Sequence, residues 1–222
     1  MNIARFVFNP IAENTYVVWD DTLEAAVIDA GNSGAAEDRR LDDFLAERGL
    51  RPVLAVNTHG HFDHALGVAH LKARYGVPFA AHGGDGFLLG NAATSAGVFG
   101  VKCPSPFPAI DMDLEGLTEI KFGNTALQII HTPGHTPGHV CLFEPESRVL
   151  FTGDTLFADS IGRTDLPGGD YSWIMKSILE KLLPLGGDVR VYPGHGGDTT
   201  IGREAAGNPF ITEVLGSDVD YR

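Results

Sequence analysis

An α/β fold with helices lying against sheet is predicted by three features of the 222-residue sequence. Short β-branched and apolar runs recur along the chain, helical patterns lie between some of them, and the earliest runs stand too close together for helical crossovers, so part of the sheet is antiparallel. The runs read as strands fall at 3–8, 15–19 (TYVVW), 25–29 (AAVID), 53–57, 77–81, 125–130 (TALQII), 140–143, 148–152 and 189–192 (VRVY). A helix is predicted over 35–48, with Leu41, Phe44 and Leu45 on one face and Gly49 as its stop. Others are predicted over 64–75, stopped by Gly76, and over 171–183, stopped by Pro184; Trp173, Ile174 and Leu182 of the latter read as core. From Gly97 to Asp111 the chain is rich in Pro and Gly without a period, which reads as a surface loop and a candidate for facing substrate.

Composition narrows the function classes. With 43% hydrophobic and 20% charged residues the chain suits one globular domain over residues 1–222. No stretch reaches the roughly 20 apolar residues of a membrane span, and no opening segment has the layout of a signal peptide, so a cytoplasmic protein is expected. A net charge of −13 opposes nonspecific binding to nucleic acid or to an anionic membrane surface. It leaves room for a small anionic substrate, because bound divalent cations reverse the local potential. Cys103 and Cys141 read as two unrelated thiols, Cys141 in the core.

The nine histidines are not scattered. THGHFDH, residues 58–64, carries His59, His61, Asp63 and His64; HTPGHTPGH carries His131, His135 and His139; FTGDTLF carries Asp154; YPGHGG carries His195. Each segment follows a predicted strand, and strand ends of one sheet can bring distant side chains to a common edge. Imidazole nitrogen and carboxylate oxygen suit zinc, iron and manganese. His59 and His61, one residue apart, can point to the same side of an extended turn; Asp63 and His64 are displaced from them and could serve a second ion. His70 and His82 read as ordinary structural histidines, and His131 and His139 as partners of ligands in preference to ligands. Thr58, Asp29 and Thr155 are either such partners or simple turn residues.

HxHxDH followed by a single His, an Asp and a last His resembles the signature of the metallo-β-lactamase superfamily. HTPGHTPGH, LFTGDTLF, IGRTDLPGGD (161–170), YPGHG and the late NPF (208–210) are similar to its glyoxalase II branch, the hydroxyacylglutathione hydrolases, especially short bacterial members that lack the C-terminal helical domain. The stretch after His195 is too short for the several helices of that domain. The resemblance implies a four-layer αββα sandwich with metals at one edge between its sheets. It further implies that His59, His61 and His135 hold one ion, that Asp63, His64 and His195 hold the other, and that Asp154 bridges the two. Asp63 has a second reading, in which it also orients or relays the proton of the nucleophile.

Relatives separate at single positions. Class B lactamases typically have Cys where Asp154 stands, and oxygen-reducing di-iron relatives have Glu where His61 stands. Persulfide dioxygenases, with one iron on the equivalents of His59, His135 and Asp154, commonly have Cys where this chain has His139. The expected activity is therefore hydrolysis of S-(2-hydroxyacyl)glutathione or a related small thioester, with two divalent ions, zinc first among them. Water shared by two ions ionises near pH 7, far below its value in bulk, and a thiolate leaves without a strong acid because thiol pKa values lie near 8.5. Arg163 and Lys102 are the candidate substrate contacts; a mononuclear iron persulfide dioxygenase and a lactonase or phosphodiesterase are the alternatives.

Overall fold

The computed structural model describes residues 1–216. Its first sheet contains β1 (Asn2–Phe8), β2 (Glu13–Trp19), β3 (Glu24–Ile28), β4 (Arg51–Val56), β5 (Phe79–Ala81) and β6 (Met112–Asp113), in that order. β1, β2 and β3 pair antiparallel, as their close spacing requires, whereas β3 to β6 run parallel. The second half of the chain supplies β7 (Glu119–Phe122), β8 (Thr125–His131), β9 (Val140–Glu144), β10 (Val149–Gly153), a short ribbon of β11 (Leu156–Phe157) and β12 (Ser160–Ile161), and then β13 (Arg190–Pro193) and β14 (Thr199–Thr200). The second sheet runs β14-β13-β10-β9-β8-β7. The helices are α1 (Ala35–Glu47), α2 (Val68–Tyr75), α3 (Gly86–Gly90), α4 (Ala92–Val98), α5 (Tyr171–Ser177), α6 (Ile201–Gly207) and α7 (Pro209–Gly216).

Three apolar cores lie between four layers. Alternate residues of one strand feed different cores, since successive side chains point to opposite faces of a sheet. In β2, Tyr16 and Val18 pack toward the second sheet, against Leu127, Leu142 and Phe151, while Val17 packs toward Leu41, Leu45 and Leu71 of α1 and α2. In β9, Val140 and Leu142 face the first sheet while Cys141 and Phe143 meet Ile174, Ile178 and Ile211 on the outer helices. This is the αββα sandwich that the resemblance implies.

Tyr16 also ties the sheets together at the end that carries the histidine loops, its hydroxyl donating to the Pro193 carbonyl at 2.7 Å in a buried setting. Asn14 Nδ2 donates to the same carbonyl, so Tyr16→Phe removes one bond without orphaning its acceptor. A loss of about 1 kcal/mol is expected, read as a fall in Tm of roughly 2–4 °C.

Three expectations need correction. The predicted 64–75 helix is interrupted: a single 3₁₀ turn covers Phe62–His64, and α2 starts only at Val68. The chain turns between them, where the Gly67 N–H donates to Ala30 O and Asn32 approaches closely enough to leave no room for a Cβ. The 171–183 helix continues through Leu185, but it changes to π winding over Ile178–Leu182 and to a 3₁₀ turn over Leu183–Leu185. Trp173 is not core. It is 51% exposed beside Lys176, while Ile174 and Met175 take the buried face. The short β6, β7, β11, β12 and β14 and the helices α3, α4, α6 and α7 were not expected. In α4 the sequence AATSAGV carries no apolar stripe to announce a helix.

Candidate metal centre

The four histidine and aspartate segments leave the ends of β4, β8, β10 and β13 and meet at one edge between the sheets. His59, His64, His135, Asp63 and Asp154 are buried; His61 and His195 are partly open to a cavity above them. His61 Nδ1 lies 3.1 Å from His59 Nε2 and 2.9 Å from His135 Nε2. His64 Nε2 lies 3.2 Å from His195 Nε2, and Asp63 Oδ2 is 3.6 and 3.3 Å from these two atoms. Asp154 stands between the groups, with Oδ1 3.5 Å from His64 Nε2 and Oδ2 3.6 Å from both His135 Nε2 and His195 Nε2.

These spacings fit a metal centre. Donors bound at 2.0–2.1 Å around a tetrahedral ion stand about 3.3 Å apart, close to the separations within each group. Asp154 Oδ1 is buried and makes no hydrogen bond among the described residues, a costly condition unless a cation completes it. Gly194 leaves the necessary room, because a Cβ there would come within 2.2 Å of Asp154 Oδ1.

Outer partners fix the rings. The Thr58 hydroxyl lies 3.1 Å from His59 Nδ1; His135 Nδ1 faces the Arg163 carbonyl at 2.7 Å; His64 Nδ1 faces Asp29 Oδ2 at 3.1 Å. Each contact leaves the other ring nitrogen directed into the cluster. Asp29 also accepts from the Thr58 N–H and hydroxyl, both at 2.7 Å, and sits at a φ of 51°. That left-handed conformation is one Asp tolerates better than most residues. His139 Nε2 accepts from the Asp154 N–H at 3.1 Å, so its Nδ1 carries the proton and donates to the Thr132 hydroxyl at 2.8 Å. His139 therefore holds the backbone at Asp154.

The charge pattern agrees. Burial and neighbouring imidazoles keep His59 and His139 well below the usual histidine range, and burial with His135 pushes His61 down to about 4. These rings are neutral, the form that leaves one ring nitrogen free to ligate, as at His59 and His61, or to accept a hydrogen bond, as at His139. Burial disfavours a charge on His64, but Asp154 and Asp63 outweigh it and hold the proton there well above the usual range. Asp154, although buried, is kept far below the usual carboxylate range by His64, His135 and His195.

The candidate substrate residues separate. Arg163 lines the cavity of about 650 Å³ over the cluster, with its guanidinium paired to Asp165 at 2.7 and 2.8 Å. Lys102, the other candidate substrate contact, instead lines a different cavity with Asn32, Asp38 and His70 and is absent from the lining of the one over the cluster. Of the Gly97–Asp111 stretch, Val98 and Phe99 reach the upper cavity, whereas Pro104–Ile110 line a third cavity against α3 and α4. His70 pairs with Asp42 at 2.9 Å, and His82 stacks on His131 with ring centroids 4.7 Å apart.

Sequence reasoning missed Asp85 and Glu13. Asp85 is fully buried and joins two histidine loops: it accepts from Gly60 N–H at 2.8 Å, from the Thr136 hydroxyl at 2.6 Å and from Gly138 N–H at 2.7 Å. Glu13 lies behind His64 at 4.0 Å, and burial pushes its carboxyl well above the usual range. The signal for Asp85 was slight: one aspartate in HGGDG, a context that also reads as a turn.

Layers and cluster together define a metal-binding hydrolase with its centre at the sheet edge. Residues 9–195 match the metallo-beta-lactamase superfamily, and the chain belongs to that family. It is 40% identical to the hydroxyacylglutathione hydrolase GloC of Haemophilus influenzae, over 95% of this chain and 98% of that one. The crystal structure of the BLEG-1 B3 metallo-beta-lactamase superposes with a TM-score of 0.87 at 36% identity, covering 95% of this chain and all of the other. TTHA1623 in a di-iron-bound form gives 0.83 at 37% identity, covering 93% and 99%. Among the described residues no helix is long and apolar enough to cross a membrane.

Proposed function

We propose that the protein hydrolyses a small thioester, S-(2-hydroxyacyl)glutathione or a close relative, using two divalent ions. His59, His61 and His135 would hold one ion and Asp63, His64 and His195 the other, with Asp154 shared. The observation that carries this reading is the convergence of seven ligand-type side chains, at spacings suited to two ions, on the floor of a cavity. Similarity to a hydroxyacylglutathione hydrolase supports the thioester, and the di-iron form of TTHA1623 supports a pair of ions. Zinc is the proposed metal, with iron or manganese as substitutes that the same donors accept.

When bound, the ions would lower the pKa of water and polarise the thioester carbonyl. The chain's own groups supply the rest. Thr58, Asp29 and the Arg163 carbonyl keep the imidazoles turned inward, so little reorganisation is needed at the moment of reaction. Asp63 lines the cavity and is the carboxylate placed to orient or receive the proton of the attacking water. Apolar walls limit the water around the carbonyl, which strengthens each electrostatic contact there. Arg163 is the cation available to a carboxylate of the thiol carrier, once it exchanges Asp165 for substrate.

The test is thiol release from S-D-lactoylglutathione by zinc-loaded protein, with nitrocefin alongside because the similarity to a B3 metallo-beta-lactamase favours a lactam as the second reading. Thiol release lost on chelation and restored by zinc is expected, together with a fall in Tm on chelation. Nitrocefin turnover without thiol release would replace the thioester by the lactam.

A further inference from the structure

The cavity above the cluster has two walls of different character. The segment after Asp154 contributes Phe157, Ile161, Leu166 and Pro167 together with Arg163, the one charged side chain lining the cavity outside the cluster among the described residues. The first half of the chain contributes Ile11, Phe62, Leu88, Val98 and Phe99, with Ser95 as the sole polar side chain and no charge. Phe62 and Phe99 pack ring to ring at 5.4 Å, so this wall is continuous from the HxHxDH loop to the end of α4. Its outer part stays in contact with solvent: Val98 is 82% exposed and Phe99 60%. Both follow the small residues of α4, whose Ala92 and Ala96 supply the helix's packing. Val98 and Phe99 therefore present apolar surface beyond what α4 uses to hold its place in the fold.

Resting on the thioester reading, we infer that this wall is an acyl subsite and that the acyl group is a hydrophobic chain of several carbons, longer than that of lactate. A thioester carbonyl seated at the cluster sends its two arms along the two walls. The carrier arm, which in glutathione carries carboxylates, matches the wall holding Arg163. The uncharged wall offers a polar arm only the Ser95 hydroxyl and gains from covering its aromatic and aliphatic surface. Leu88 and Ile11 extend the same surface on the cavity side. Specificity then comes from chain length, and each methylene buried raises affinity about two- to fourfold.

Two measurements on zinc-loaded protein test this. Calorimetric titration with acetate, butyrate, hexanoate and octanoate is expected to show affinity rising by that factor per methylene, and acyl-glutathione thioesters of the same lengths to show KM falling in parallel. Val98→Ser and Phe99→Ser, both at exposed positions, are expected to flatten both trends. Thioesters cleaved with no dependence on chain length, and carboxylates bound equally, would overturn the acyl subsite and leave the thioester reading standing. Carboxylates bound with the expected trend while no thioester is cleaved would uphold the apolar subsite and remove the thioester.

Discussion

Replacing Asp154 by alanine is expected to lower kcat/KM for thioester hydrolysis by about a thousandfold or more, equivalent to ~4 kcal/mol of transition-state stabilisation. Asp154 is the side chain whose two oxygens address both groups, one toward His64 and the other toward His135 and His195. Without it each group keeps three donors, and the negative charge that lowers the cost of placing two cations side by side is gone. The loop itself has an independent anchor, because His139 Nε2 holds the Asp154 N–H and a backbone amide survives the substitution. The variant should therefore fold, bind metal more weakly, and lose activity out of proportion to any change in Tm. Activity within tenfold of the parent, with two ions still bound, would show that the carboxylate is not shared.

Asp85→Ala is expected to act through position alone. The Asp85 carboxylate never enters the cluster, yet it satisfies two N–H groups and one hydroxyl on the loops that carry His59, His61 and His135. Truncation leaves three buried donors without their charged acceptor, at a cost of about 4 kcal/mol. For a domain of this size that corresponds to a fall in Tm of roughly 8–16 °C. Loosening the loops should also weaken metal binding by about 10–100-fold, the usual penalty for losing an outer partner. Asp85→Asn keeps one acceptor oxygen and should recover part of both losses. Unchanged Tm and unchanged zinc affinity in Asp85→Ala would mean that the loops are held by other contacts.

The contrast between these residues explains what could be read from the chain. Asp154 stood out because it follows an apolar run in the same manner as the histidine segments, and clustered ligand-type residues such as His59, His61, Asp63 and His64 need no knowledge of the fold to be noticed. Asp85 contacts residues 25 to 53 positions away, and a single aspartate among glycines carries no trace of such partners. The layers were hidden for a related reason. Tyr16, Val17 and Val18 are all buried although they feed different cores, so the strand shows no alternation from which two covered faces could be told from one. The family resemblance carried that step.

Local patterns failed where tertiary contacts overrode them. Residues 64–75 have helical character, but His64 turns into the cluster and Gly67 donates to Ala30 O, which breaks the helix before Val68. Trp173 reads as core by composition and lies on the outer face of α5. Lys102 shares a Pro-rich segment with the cavity-lining end of α4, and a few residues of chain direction send it into a different cavity. Arg163 is the converse case: it was singled out for its guanidinium, while its carbonyl proves to orient His135.

Anomalous diffraction from crystals of the zinc-loaded protein, with metal content measured on the same sample, decides whether two ions share Asp154. Two anomalous peaks are predicted, one among His59, His61 and His135 and the other among Asp63, His64 and His195, with Asp154 touching both. A single peak held by His59, His135 and Asp154, with no ion near His64 and His195, would contradict it and point to the mononuclear chemistry of the persulfide dioxygenases.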